Sequence, residues 1–209
     1  MDKQVYSLVL MDEVVREVDK VAYHSGLSRS AMINRILAEY VSCETPEKQI
    51  DNVFSALIGY LDREIQVMSK GSESLVLRSP LPYKYNPTAR YSVALTPGAD
   101  GCAGILKVSL KTQYQPLIAA MQDFFERYCT LEQKWLAGKL PQGAVLAQIE
   151  QGRLIRRLYP ESLSATDLAK AINAYVARLD RLLKNYFGKG ADYPLEADFV
   201  RTLSDIPIM

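Results

Sequence analysis

The sequence predicts an α+β protein, mostly helical, organised in two parts. Three observations predict it. The first forty-odd residues run as one short alternating apolar segment and two capped amphipathic segments with almost no linker. Residues 74–111 hold three strand-like runs separated by proline- and glycine-rich turns. The remainder carries apolar residues at three- and four-residue spacing. The expected division is residues 1–44 and residues 45–209.

Residues 5–10 alternate in the manner of a strand. Tyr6, Leu8 and Leu10 fall on one face; Val5, Ser7 and Val9 fall on the other. Asp12 stands where a helix N-cap is expected, with Glu13 beside the positive helix end. Val14, Val15, Val18, Val21 and Ala22 then recur at helical spacing, and Gly26 is placed to stop the helix. β-Branched valines are only fair helix formers, so this helix depends on packing. Ser28 or Ser30 opens a second helix, expected to run to about Val41, with Met32, Ile33, Ile36, Leu37 and Tyr40 on its apolar face. A lone strand leaves its backbone hydrogen bonds unmade, and two short helices cannot cover it. Pairing the strand with its copy in a second molecule answers both needs. The sequence thus predicts an intertwined homodimer with a two-stranded antiparallel ribbon.

This order resembles the ribbon-helix-helix (Arc/MetJ-type) DNA-binding family. The residues that carry the resemblance are the alternating segment ending in Leu10, the Asp12-Glu13 turn, the Gly26 stop, the Arg29-Ser30 pair, and Ile33 and Tyr40. It covers the N-terminal region only. The resemblance implies that the ribbon enters the major groove of double-stranded DNA and that its outward side chains read base edges. Carried over by position, the base-reading residues are Val5, Ser7 and Val9. Arg29 and Ser30 would fix the DNA backbone, with free amides at the start of the second helix and Lys3 just before the strand. Members commonly carry polar or basic side chains at the first and last of the reading positions. Valine can touch a thymine methyl but forms no hydrogen bond with a base, which leaves Ser7 as the polar contact.

Charge is balanced. The chain has 209 residues and a net charge of +1. Residues 1–45 hold Lys3, Arg16, Lys20, Arg29 and Arg35 against Asp2, Asp12, Glu13, Glu17, Asp19, Glu39 and Glu44. The consistent expectation is weak intrinsic DNA affinity, raised by dimers bound side by side on operator repeats.

Thr45-Pro46 caps a helix expected over residues 46–68, whose stripe includes Ile50, Val53, Phe54, Leu57, Ile58, Leu61, Ile65 and Met68. The strand-like runs at 74–78, 90–96 and 104–111 predict a small antiparallel meander. Its polar side would gather Arg78, Lys84, Arg90, Lys107 and Lys111, as a solvated face or as a hold for an acidic effector or an outlying phosphate. A helix over about 115–137 would cover the sheet. Residues 144–158 read as a further helix. Ser164 and Asp167 form a capping-box variant that opens a long helix ending at Gly188, and a last short helix falls at about 194–203.

Several classes are set aside. The apolar and charged fractions, 48% and 23%, are ordinary for a globular chain. No apolar run approaches the ~20 residues that span a bilayer, and no signal-peptide pattern opens the chain, so a cytoplasmic location with no membrane partner is expected. Cys43, Cys102 and Cys129 are scattered and odd in number, unlike a disulfide framework or a zinc cluster. His24 is the single histidine, and neither a phosphate-binding glycine loop nor a nucleophile elbow is present. The sequence therefore predicts no catalytic residues, no metal site, no cofactor and no enzyme activity. It predicts a sequence-specific transcriptional regulator, most simply a repressor. The C-terminal part would set oligomer state or meet an effector or protein partner. Two further readings stay open: an accessory DNA-binding protein of plasmid mobilisation or partition, and an interaction module that only dimerises.

Overall fold

The computed structural model describes residues 4–43, 45–96, 102–139, 145–160, 164–190 and 192–202. The chain divides into two units, Met1–Lys48 and Gln49–Met209. In the first, residues 4–11 form neither helix nor strand within a single chain. The strand expected over residues 5–10 is therefore not present as such, and the first regular element is a helix. The physical reason is that, among the described residues, no segment of the same chain pairs with it to take its backbone hydrogen bonds.

Helix α1 (Asp12–His24) is capped by Met11, whose carbonyl accepts from Val15 N at 3.1 Å; Asp12 is its first residue rather than its cap. Asp12 and Glu13 still lie at the positive end of the helix. The helix closes through Gly26 at φ 65, with Leu27 N bonding Ala22 O at 2.9 Å and Gly26 N bonding Tyr23 O at 3.2 Å. These paired bonds are a Schellman close, and they require the left-handed glycine. Helix α2 (Arg29–Tyr40) starts at once, with Ser28 as the capping serine. Among the described residues of this unit only Ala22 and Met32 are buried.

The second unit is a single antiparallel sheet with helices on one face. Helix α3 (Pro46–Tyr60) is opened by Thr45, whose hydroxyl accepts from Lys48 N at 3.2 Å. Six strands follow: β1 (Gln66–Lys70), β2 (Ser74–Pro80), β3 (Thr88–Leu95), β4 (Gly104–Leu110), β5 (Ala147–Glu150) and β6 (Arg153–Leu158). They lie in the order β1-β2-β3-β4-β6-β5. Helix α4 (Gln115–Leu136), helix α5 (Ala165–Lys189) and helix α6 (Leu195–Arg201) complete the unit.

The inner face is read from the register. Leu75 faces Val93, Leu77 faces Tyr91, Tyr91 faces Val108, and Val108 faces Leu154. All are buried against Phe124, Phe125 and Tyr128 of α4 and Ile172, Tyr175, Val176 and Leu179 of α5. Two buried polar clusters tie the layers together. Asp180 on α5 accepts from Ser79 Oγ at 3.0 Å and Tyr91 Oη at 2.8 Å, and Lys184 Nζ lies 2.8 Å from it. Glu132 on α4 accepts from Arg156 Nε of β6 at 3.1 Å and from Tyr175 Oη at 3.2 Å.

Two expected helices are corrected. The helix expected over 46–68 ends at Tyr60, and Gln66–Lys70 is the edge strand β1. Gly59 weakens the helix there, and Ile65, whose spacing fits the helical stripe, is buried beyond a turn closed by Ile65 N to Asp62 O at 3.0 Å. Within the helix expected over 144–158, residues 147–158 form the β5–β6 hairpin instead. Its two-residue turn, Gln151 at φ 49 and Gly152 at φ 69, has the positive dihedrals of a type I′ turn. The three-strand meander is present as β2–β4 but belongs to a six-stranded sheet. The long helix runs past Gly188 to Lys189, and Gly190 at φ 84 carries the stop.

Candidate nucleic-acid interface

The N-terminal unit places its candidate reading residues in solvent. Val5 is 100% exposed and Val9 103% exposed, and Ser7 is exposed between them. The opposite set of the alternation is also uncovered: Tyr6 is 77% exposed, Leu8 59% and Leu10 41%. Val14, Val21, Leu27, Ile36, Leu37, Tyr40 and Val41 are exposed as well. So many apolar side chains around two buried residues leave this unit without a core of its own, the condition under which a surface marks an interface.

The start of α2 was expected to hold the DNA backbone. Ser28 accepts from Ala31 N through its hydroxyl at 3.3 Å and from Met32 N through its carbonyl at 2.9 Å. Among the described residues, the amides of Arg29 and Ser30 are left without such partners, as an anion site at a helix start requires. Ser30 is exposed beside them. The Arg29 side chain, however, is already engaged. Its Nε donates to Asp19 Oδ1 at 2.7 Å and its Nη2 to Asp19 Oδ2 at 2.6 Å. This fork is the geometry a guanidinium would offer a phosphate. The hydrogen bonds from Arg29 hold the Asp19 carboxyl below its ordinary range and raise Arg29 in turn. Lys3 lies outside the described residues.

Two other cations of the unit are also partnered. Lys20 pairs with Glu17 at 2.7 Å and Arg35 with Glu39 at 3.3 Å. His24 Nδ1 lies 2.7 Å from Lys20 O, within the last turn of α1. The arrangement can present an alternating segment and a helix start to a groove, although acidic side chains outnumber basic ones in this unit. Asp19 is the residue beside the candidate clamp that sequence reasoning missed. Nothing in its spacing marks it; only the tight Gly26 turn brings the middle of α1 beside the first residue of α2.

The second unit buries part of its polar chemistry. Burial pushes the Cys129 thiol up to about 12, with the Glu132 carboxylate adding to the rise, so this sulfur stays protonated and unreactive at neutral pH. Among the described residues, no group of three or more His, Cys, Asp or Glu side chains is placed to hold a metal ion, and no helix is long and apolar enough to cross a membrane. Comparison with protein families, curated proteins and solved structures finds no match.

Proposed function

We propose that this chain is a homodimeric DNA-binding protein and that its N-terminal unit works in the ribbon-helix-helix manner. Two copies pair through residues 5–10, the ribbon lies in the major groove, and the start of α2 meets the phosphate backbone. The biological role would be that of a transcriptional repressor on operator repeats. The observation that carries this reading is the exposed alternation of residues 5–10 ahead of two helices that bury almost nothing alone. Pairing with a second copy would satisfy the backbone of the segment and cover Leu8, Leu10 and Val14 together.

A mobility-shift assay on the DNA upstream of the protein's own gene tests it, alongside sedimentation of the free protein. The expected result is a dimer that retards this DNA at lower concentration than unrelated DNA. A dimer with no preference or no retardation would favour the second reading, a unit used only for dimerisation. That reading draws its support from Arg29, whose fork is filled by Asp19, and from Val5 and Val9, which cannot hydrogen-bond a base.

A further inference from the structure

The outer face of the six-stranded sheet carries a cationic field whose members were expected only in part. Arg78 on β2 faces Arg90 on β3 directly, and Arg90 faces Ser109 on β4. One step along, Ser92 faces Lys107, and Lys107 faces Ile155 on β6. Arg153 and Arg157 share the outward parity of Ile155, and Glu150 faces Arg153 across the hairpin. The outward positions of the strands thus hold five basic side chains, all exposed, against the single carboxylate of Glu150.

Several cations elsewhere in the protein are held in ion pairs. Lys20, Arg29, Arg35, Lys70, Arg127, Lys134, Lys184 and Arg201 each have a carboxylate within ion-pair distance. Among the described residues, Arg78, Arg90, Lys107 and Arg153 have none. Arg78 makes only a neutral contact, from Nε to Gln66 Oε1 at 3.0 Å. Like charges directly opposite on neighbouring strands are destabilising, so the Arg78–Arg90 pairing works against the fold unless something outside the chain neutralises it.

The shape and chemistry of the face select the neutralising partner. Strands lie ~4.8 Å apart and outward residues repeat at ~6.7 Å along each strand, which spreads the cations over a surface instead of gathering them at a point. Four of the five are arginines, whose planar forks match phosphate oxygens. The positions between them, Val76, Ser92, Ala94, Ile105, Ser109 and Ile155, are aliphatic or serine and mostly half-buried; they offer neither a ring for a base to stack on nor a large anchor for a protein partner. We infer that the outer sheet face is a docking surface for the phosphodiester backbone of duplex DNA, bound without regard to sequence. The inference uses no residue of Met1–Lys48 and goes beyond the groove reading proposed for that unit.

The test uses the full chain and a labelled duplex of arbitrary sequence, titrated at several salt concentrations. The face variant is Arg78→Gln with Arg90→Gln. The control, Lys134→Gln with Lys170→Gln, removes the same charge from exposed positions on α4 and α5. Each phosphate contact contributes roughly 0.9 to the slope of log affinity against log salt. The face variant is expected to lose about two from that slope and to melt no lower than the parent, while the control keeps the slope. An unchanged slope in the face variant, an equal loss in the control, or no binding by the parent chain overturns the inference. So does a face equally well occupied by polyglutamate in competition, which would make the partner an acidic polypeptide. Arg29→Ala separates the two readings: a slope that responds to Arg29→Ala alone leaves the N-terminal reading in place and removes this one.

Discussion

The guanidinium of Arg29 and the carboxylate of Asp19 meet as a two-pronged fork, at 2.7 and 2.6 Å, across the turn that joins the first two helices. Both groups face solvent, so the pair is screened by salt and adds little to stability. Its consequence is competitive. A phosphate arriving at the start of α2 would need the same fork that Asp19 occupies.

Replacing the competitor should therefore free the clamp. Asp19→Asn is expected to strengthen binding to duplex DNA of any sequence and to steepen the salt dependence by about one phosphate contact, a slope change of roughly 0.9. Fluorescence anisotropy at several salt concentrations measures both. Weaker binding by Asp19→Asn would mean that the carboxylate positions Arg29 instead of withholding it. Arg29→Ala should reduce affinity for all sequences alike; a changed sequence preference would move Arg29 to a base-reading role.

The two faces of residues 5–10 should behave differently. Leu8→Asp places a charge where the second copy is proposed to pack, and sedimentation velocity should show a monomer. Val9→Lys, on the opposite set, should leave the dimer intact and raise affinity for DNA. Dissociation by Val9→Lys, or a stable Leu8→Asp dimer, would reverse the assignment of faces.

The β5–β6 turn gives a stability prediction. Gly152 has φ 69, and a Cβ added there would come 2.7 Å from Ile118 O. Gly152→Ala meets both a disfavoured backbone conformation and a backbone clash with α4. A loss of about 2 kcal/mol in urea-induced unfolding is expected.

That same hairpin shows where the sequence could be read and where it could not. The helix caps at Ser28, Thr45 and Ser164 and the stop at Gly26 were legible because each depends on a local hydrogen bond made by a recognisable residue type. The β2–β4 meander was legible from alternation. β6 was not, because Arg156 occupies an inward position between Leu154 and Leu158 and is fully buried on Glu132, which breaks the apolar alternation. Gln151-Gly152 was the available signal. With β6 read as helix, Arg153 and Arg157 were lost from the outward basic set. Lys84 and Lys111 lie outside the strands, so only Arg78, Arg90 and Lys107 of the expected set share the sheet face.

Alkaline pH should unfold the second unit. Burial raises the phenols of Tyr91, Tyr128 and Tyr175, and it pushes the Cys129 thiol up to about 12. These acids are raised in the folded state, so the stability they contribute is full below their ordinary values, near 9 for the thiol and 10 for the phenols, and falls as pH climbs above them. The melting temperature should hold to about pH 9 and then drop steeply toward pH 12. Tyrosinate absorbance should rise in two phases, exposed phenols first and the buried ones only with unfolding. A single smooth phase that precedes loss of helix would show that the buried phenols ionise within the fold.

The Glu132 cluster yields the largest expected effect. Arg156 is fully buried and Arg178 nearly so, and Glu132 meets them at 3.1 and 3.8 Å. Arg178 is incompletely served: among the described residues Nε and Nη1 have no hydrogen-bond partner, although its guanidinium lies 4.8 Å from the Phe199 ring centre and donates to Tyr128 Oη at 2.8 Å. Glu132→Leu would remove the carboxylate that two buried cations share, and a loss of about 3–5 kcal/mol in chemical denaturation is expected. Removing the charges together should cost far less. Glu132→Leu combined with Arg156→Met and Arg178→Met replaces an ionic cluster by apolar side chains of similar length, and its stability should lie within ~2 kcal/mol of the parent. A triple variant as unstable as Glu132→Leu would mean that the guanidiniums hold α4, α5 and α6 in register through their contacts with Tyr128, Tyr175 and Phe199, and that charge balance is secondary.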